Sequence, residues 1–235
     1  MKWGDRYPPE YVNRLASMVD RNLGADARIV CLTDDPKGLT SRVECFECPV
    51  VPARDPYRNL GWRKLSLFAP EVPGLTGEAL FLDLDVVIVD DLRPLFEHPG
   101  RFVVMRNSTQ PGQRIGNTSV FRFTVGQHVD VWDRFCRDPD SAIATYRNSQ
   151  TFVSNAIPDM VFFPDEWCLL FKVHCLPHPA LRWFVPPRLP RGARVVAFPG
   201  DPKPSDAAQG KWPAPFVKRL YKHVRPTRWV SEHWR

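Results

Sequence analysis

Ala79-Leu80-Phe81-Leu82-Asp83-Leu84-Asp85-Val86-Val87-Ile88-Val89 is the most apolar stretch of the chain and carries two carboxylates in its middle. A run of this kind reads as a central strand buried on both faces. Side chains two apart in a strand point to the same face, so Asp83 and Asp85 are expected to project together. Two carboxylates side by side in a poorly solvated place repel each other unless something neutralises them. A divalent cation that favours oxygen ligands, manganese or magnesium, does so directly and keeps positions open for phosphate oxygens. Such an ion clamps a diphosphate and takes up the charge of a leaving group. The plainer reading is that the strand ends near Leu82 and the aspartates are turn residues in water. The residues alone leave both readings open.

Outward from this stretch, helical and extended patterns alternate. Val12, Leu15, Ala16, Val19 and Leu23 fall on one face of a helix over residues 10–23, after Tyr7-Pro8-Pro9. Residues 28–33 form a short apolar run closed by Asp34-Asp35-Pro36, which predicts a buried strand and a turn. Weaker strand character covers residues 43–51, and residues 60–69 predict a helix stopped by Pro70 and Pro73. Beyond the central stretch, Asp90-Asp91 suits a cap for a short helical turn ending at Phe96. Strands are expected at 102–105, 119–123 and 194–198, and helices at 127–137 and 151–157. This alternation predicts an α/β layered domain.

A length of 235 residues suits one domain with at most a tail. The divisions expected are residues 1–206 for the domain and 207–235 for a basic, aromatic tail. An apolar fraction of 43% argues against global disorder, and 25 prolines predict many short connections. The net charge of +6 favours anionic partners without choosing among them. Met1-Lys2-Trp3-Gly4 runs straight into charged sequence with no leader, and no apolar run is long enough to cross a bilayer. The expected location is therefore the cytoplasm. Cys45 and Cys48 have CxxC spacing, and Cys168, His174, Cys175 and His178 could complete a zinc site in principle. That second spacing matches no zinc pattern, so ordinary reduced thiols are expected.

Two chemistries use a D-x-D pattern. In phosphohydrolases of the haloacid dehalogenase type the first aspartate is a nucleophile within D-x-D-G-T near the start of the chain. Here Val86-Val87 stands in place of Gly-Thr, and the pattern lies far from the start. The other chemistry is glycosyl transfer. Within residues 3–206, several segments in order resemble the family 8 glycosyltransferases, the group of glycogenin and bacterial lipopolysaccharide galactosyltransferases. Lys64 lies in Trp62-Arg63-Lys64-Leu65 before the D-x-D strand, and Asp91-Leu92 and Leu95-Phe96 follow it. Next come Asn117-Thr118-Ser119-Val120 and Ser149-Gln150, then the loop Phe198-Pro199-Gly200-Asp201-Pro202-Lys203-Pro204.

The resemblance implies a nucleotide-diphospho-sugar transferase of the A-type fold (GT-A), a Rossmann-like α/β domain with a mixed central sheet flanked by helices. It implies manganese (or magnesium) at Asp83 and Asp85, with Asp83 also on the donor. Lys64 and Lys203 would contact donor phosphates or sugar, and Gly200 would allow close backbone approach. Asn117 and Gln150 would face the donor sugar as the catalytic pair. Trp3 and Tyr7 would lie at the nucleobase, with Asp34 in the loop nearby. A hexose would pass from a nucleoside diphosphate sugar to a glycan or lipid-linked acceptor with retention of configuration.

Three positions depart from that pattern. Ala197 stands where the family has its third metal ligand, a histidine, so either two aspartates hold the metal with donor and water, or Asp201 substitutes, or metal binding is weak. Ser149 replaces the aspartate before Gln150. The opening strand of the family should precede Trp3. The first and second of these keep open a catalytically impaired relative that binds nucleotide sugars, and the D-x-D phosphohydrolase remains a further alternative. In the tail, Phe216, Val217, Leu220, Tyr221 and Val224 have helical spacing among lysines and arginines, as in helices that lie on an anionic membrane surface. The tail is thus expected to be either a helix docked on the core with a solvated basic face or one lying on the inner face of the membrane, with the chain otherwise cytoplasmic. No nucleic-acid module accompanies the basic residues, so nucleic acid is not an expected partner.

Overall fold

The computed structural model describes residues 1–215, 217–218 and 221–235. In chain order the elements are α1 (Pro9–Leu23), β1 (Val30–Thr33), β2 (Glu44–Glu47), a 3-10 helix at Gly61–Phe68, β3 (Glu78–Leu82) and β4 (Val86–Ile88). They continue with α2 (Arg93–Glu97), β5 (Val103–Arg106), β6 (Gly116–Thr124), α3 (Val129–Arg137), α4 (Pro139–Thr145) and α5 (Ser149–Ala156). The last are β7 (Val161–Phe162), β8 (Cys168–Leu170), a π-helical turn at Phe171–Cys175, β9 (Val195–Ala197), α6 (Pro204–Gln209) and α7 (Arg228–His233). The fold class is the mixed α/β class expected from the sequence.

The chain gathers into two compact units. The first holds residues 1–13, 28–84 and 94–163; the second holds 14–27, 85–93 and 164–235. In the first unit β1 and β2 pair in parallel, and Lys2 adds a single parallel bridge to Thr33. Its larger sheet has the order β3-β6-β5-β7, antiparallel except for the parallel β5–β7 pair. Phe81, Phe102, Phe121 and Phe123 from this sheet pack with Phe68, burying a large apolar area at each contact. Trp62 stacks on Phe135 of α3 at 5.5 Å, and that anchor fixes which face of the 3-10 helix turns inward. Arg122 of β6 is only 5% exposed; its two terminal nitrogens are engaged by Glu78 and by the carbonyls of Phe96 and Gly100, while its Nε is buried without a hydrogen-bond partner.

The second unit is built on the three-stranded sheet β4-β9-β8, with β4 antiparallel and β8 parallel to β9. Every side chain of β4 and β9 is fully buried. Residues 14–27 and α7 cover this sheet. Arg14 donates to the Trp234 carbonyl and lies 4.1 Å over its ring, and Arg21 donates to the carbonyls of His233 and Arg235.

Several expectations need correction. The single strand expected over residues 79–89 is two strands. β3 ends at Leu82, and Leu84 and Asp85 form a turn before β4. The strand changes partner there, from β6 to β9, and one straight ladder cannot serve both. The α-helix expected over 60–69 is a 3-10 helix, started by Gly61 and ended before Pro70. α4, β7, β8, α6 and α7 were not anticipated; apart from α4 they are short elements whose sequences carry little periodicity. Of the helical spacing expected in the tail, Phe216 and Leu220 lie outside the described residues. Val224, Val230 and Trp234 are buried. Among the described residues, no helix is long and apolar enough to cross a membrane.

Candidate functional site

The first unit brings most of the candidate residues onto one 3-10 helix and its neighbours. The inward anchors Trp62, Leu65 and Phe68 leave Lys64 on the opposite side. Its ammonium meets both oxygens of Asp83, at 2.6 and 2.7 Å, and donates to the Thr118 carbonyl at 3.2 Å. Asp83 is held in place by its own N–H, which donates to the Ser119 carbonyl and extends the β3–β6 ladder by one step. Both side chains are largely shielded, 16% exposed for Lys64 and 21% for Asp83, so the pair is stronger than a surface ion pair.

Arg63, beside Lys64, is buried and donates to the carbonyls of Pro49 and Cys48, with its guanidinium 5.8 Å from the Trp3 ring centre. The Gly4 N–H donates to Asp34 Oδ2 at 3.0 Å, which brings the loop of Trp3 beside that of Asp34. Asn117 is buried on β6, and its Oδ1 accepts from the Ser119 N–H. Half of that side chain is therefore engaged in shaping the strand next to Thr118. Gln150 is half-buried in the first turn of α5. Its neighbour Ser149 lies against the 3-10 helix, with its Oγ 3.3 Å from where a Cβ on Gly61 would be. Tyr7 packs on Tyr11 of α1 at 5.2 Å.

In the second unit Asp85 stands at the head of β4. Its carbonyl accepts from the Phe198 N–H, and its side chain is 10% exposed. Lys203 Nζ donates to Asp85 Oδ2 at 2.6 Å. Lys203 comes from the loop that the sequence singled out. Phe198 fixes one end of that loop by stacking on Phe171 at 4.4 Å, and Asp206 fixes the other by accepting from the Lys203 N–H. Gly200 takes φ +73°, a left-handed turn that glycine makes without steric cost.

Sequence reasoning missed Lys172. It follows β8 in the π-helical turn and donates to the Pro199 carbonyl at 2.5 Å, next to Gly200. Burial holds its ammonium below the ordinary lysine range, as do Lys222 and Lys203, while Asp201 and Asp85 oppose them. The only available signal was a lysine directly after a buried apolar run, which is too common to single out.

A chain-held divalent cation does not fit these residues. Asp83 and Asp85 each already have an ammonium at ion-pair distance. Ala197, at the third-ligand position, is a fully buried methyl group in β9. Among the described residues, no group of three or more His, Cys, Asp or Glu side chains is placed to hold a metal ion. The cysteines carry no disulfide, and burial pushes the Cys168 and Cys175 thiols up, the latter to about 12.

No family model matches the sequence, and no curated protein matches it. Solved structures do match. The galactosyltransferase LgtC, in complex with donor and acceptor sugar analogues, superposes with a TM-score of 0.59 at 12% identity over 86% of this chain and 87% of that one. The glycosyltransferase GlyE of Streptococcus pneumoniae TIGR4 gives 0.59 at 14% identity, over 98% of this chain and 62% of its own. The bifunctional glycosyltransferase WbbM gives 0.54 at 14%, over 96% of this chain and 50% of its own. The chain has the A-type glycosyltransferase fold. The A-type fold accounts for the mixed sheets and flanking helices, and at these identities the likeness concerns fold alone.

Proposed function

We propose that the chain transfers a hexose from a nucleoside diphosphate sugar to a hydroxyl of a glycan or lipid-linked acceptor, with retention of configuration. The observation that carries this reading is the Lys203–Asp85 pair. A lysine of the glycine-containing loop lies at 2.6 Å from the second D-x-D carboxylate, so the loop and the carboxylate share one place in the second unit. The A-type fold supports it, because LgtC, which superposes on this chain, is seen in complex with donor and acceptor sugar analogues.

In this reading the leaving diphosphate develops negative charge, and preorganised cations stabilise it as it departs. Lys203 of the second unit supplies that charge. By the resemblance alone, Lys64, Trp3, Tyr7, Asp34, Asn117 and Gln150 are the further donor contacts to test. Manganese at Asp83 and Asp85 was the expectation from sequence, but the residues present fit it poorly. The lipid-linked acceptor is supported by exposed Trp183, Phe184, Val217 and Tyr221, which neighbour Arg182, Lys218, Lys222 and Arg225 in sequence. Such a surface suits the inner face of an anionic membrane.

One observation favours a second reading, a relative that binds donor without turnover. Ser149 is buried against Gly61, so no carboxylate precedes Gln150. Incubation with a panel of uridine, guanosine and adenosine diphosphate sugars, assayed for released nucleoside diphosphate, separates the two. Turnover that falls about 100-fold or more in Lys203→Met is expected. Tight donor binding with no turnover would select the second reading.

A further inference from the structure

We infer that the diphosphate of the donor is gripped by Lys172 and Lys203 without a divalent cation, Lys172 being a phosphate ligand that the D-x-D pattern does not reveal. The inference rests on the transferase reading of the same loop and adds the chemistry of the grip.

Three features of the second unit carry it. Asp85 has its counter-charge built in. Lys203 Nζ lies 2.6 Å from its oxygen, and both side chains are at least 85% shielded, with exposures of 15% and 10%. A divalent ion on Asp85 would have to displace that ammonium and leave it beside a second, larger positive charge. The strand position that could offset this cost with a further ligand is Ala197, which has no donor atom and no exposure.

Lys172 is the second feature. Its ammonium is half-buried, and its partner is a neutral carbonyl, Pro199 O at 2.5 Å. Charged groups around it are Asp201 and Asp85 on one side of the balance and Lys203 and Lys222 on the other. A shielded ammonium that faces a carbonyl is a better donor to an arriving phosphate oxygen than one spent on a carboxylate.

Gly200 is the third. Its left-handed turn, with φ +73°, lies between the Pro199 carbonyl and Asp201, and a Cβ there would stand 3.4 Å from Lys172 Nζ. Glycine leaves that approach to the ammonium open to an anion.

The test is calorimetric titration of the full chain with uridine, guanosine and adenosine diphosphates and with inorganic pyrophosphate, in excess EDTA and in excess manganese. The expected result is one nucleoside diphosphate whose affinity differs by less than about threefold between the two conditions. Lys172→Met and Lys203→Met should each weaken it about tenfold or more, the loss of one charge-assisted hydrogen bond. Lys172→Arg should restore affinity to within about threefold. Thermal melts confirm folding, and Lys172→Gln replaces Lys172→Met if the latter does not fold. Tightening by manganese of tenfold or more overturns the inference and leaves the transferase reading in place. Unchanged affinity in a folded Lys172→Met variant does the same. No binding of any of the four compounds in either condition overturns both.

Discussion

Lys203 grips Asp85 through its ammonium at 2.6 Å while its own main-chain N–H is held by Asp206, so one residue both neutralises a shielded carboxylate and starts α6. Removing either charged partner alone strands the other in a poorly solvated place. Lys203→Met and Asp85→Asn should therefore each cost about 2 kcal/mol of stability, and the double variant less than the sum. Urea unfolding of the four proteins gives the coupling energy, expected at about 1–3 kcal/mol. Strict additivity would mean that the pair contributes nothing to the fold.

The Lys64–Asp83 pair makes a parallel case in the first unit, with one difference. Lys64 also donates to the Thr118 carbonyl, so it ties the 3-10 helix to β6 as well as to the end of β3. Lys64→Met is expected to lower stability by about 1–3 kcal/mol and transfer activity by about 100-fold. Lys64→Arg should recover stability better than activity, because a planar guanidinium cannot reproduce both contacts from the same point. Recovery of activity to wild-type levels by arginine would argue against a positioned point charge at this site.

His128 predicts a pH dependence that has nothing to do with donor binding. Its ring packs edge-on against Phe102 at 5.6 Å, and Nε2 is buried without a protein partner. Burial lowers its pKa below the ordinary value, opposed by Asp130 and Asp159 and reinforced by Arg101. The unfolded chain therefore takes up the proton first. The stability contribution is intact above the unfolded value of about 6.5 and is lost as pH falls through it toward the folded value. The melting temperature should fall between about pH 7.5 and about pH 5.5, and His128→Gln should flatten that part of the slope.

Two glycines with nearly the same backbone conformation should respond very differently to alanine. Gly210 and Gly77 have φ of +72° and +69°. At Gly77 an added Cβ meets nothing within 4 Å, so Gly77→Ala pays only the left-handed strain, about 1 kcal/mol. At Gly210 the Cβ would lie 2.5 Å from Pro226 Cδ, so the chain beyond α6 must shift. Gly210→Ala is expected to cost about 3 kcal/mol or more, measured by urea unfolding at equal protein concentration.

Much of this architecture is legible in the residues, within limits that have physical causes. The runs at 28–33, 102–105 and 119–123 became β1, β5 and β6 because nothing in them competes with the ladder, although β6 begins three residues earlier, at Gly116. The D-x-D stretch misled on one point. Period-two alternation cannot reveal that a strand changes partner, since Phe81-Leu82 and Val86-Val87 look alike whether they pair with β6 or with β9. The plainer reading, with the strand ending at Leu82, described the backbone better. Lys64 and Lys203 stand out because neighbouring motif residues fix them. Lys172 and Arg122 do not, because their roles depend on carbonyls contributed by distant segments, Pro199 for one and Phe96 and Gly100 for the other.

The clasp between residues 14–21 and the carbonyls of residues 233–235 joins parts of the chain that are more than 200 positions apart. During synthesis the first of these leaves the ribosome early and waits for the last. The sheet β4-β9-β8 therefore cannot gain its full cover until translation has passed Arg235, and nascent chains stalled before Arg228 should keep that face bare and recruit holdase chaperones.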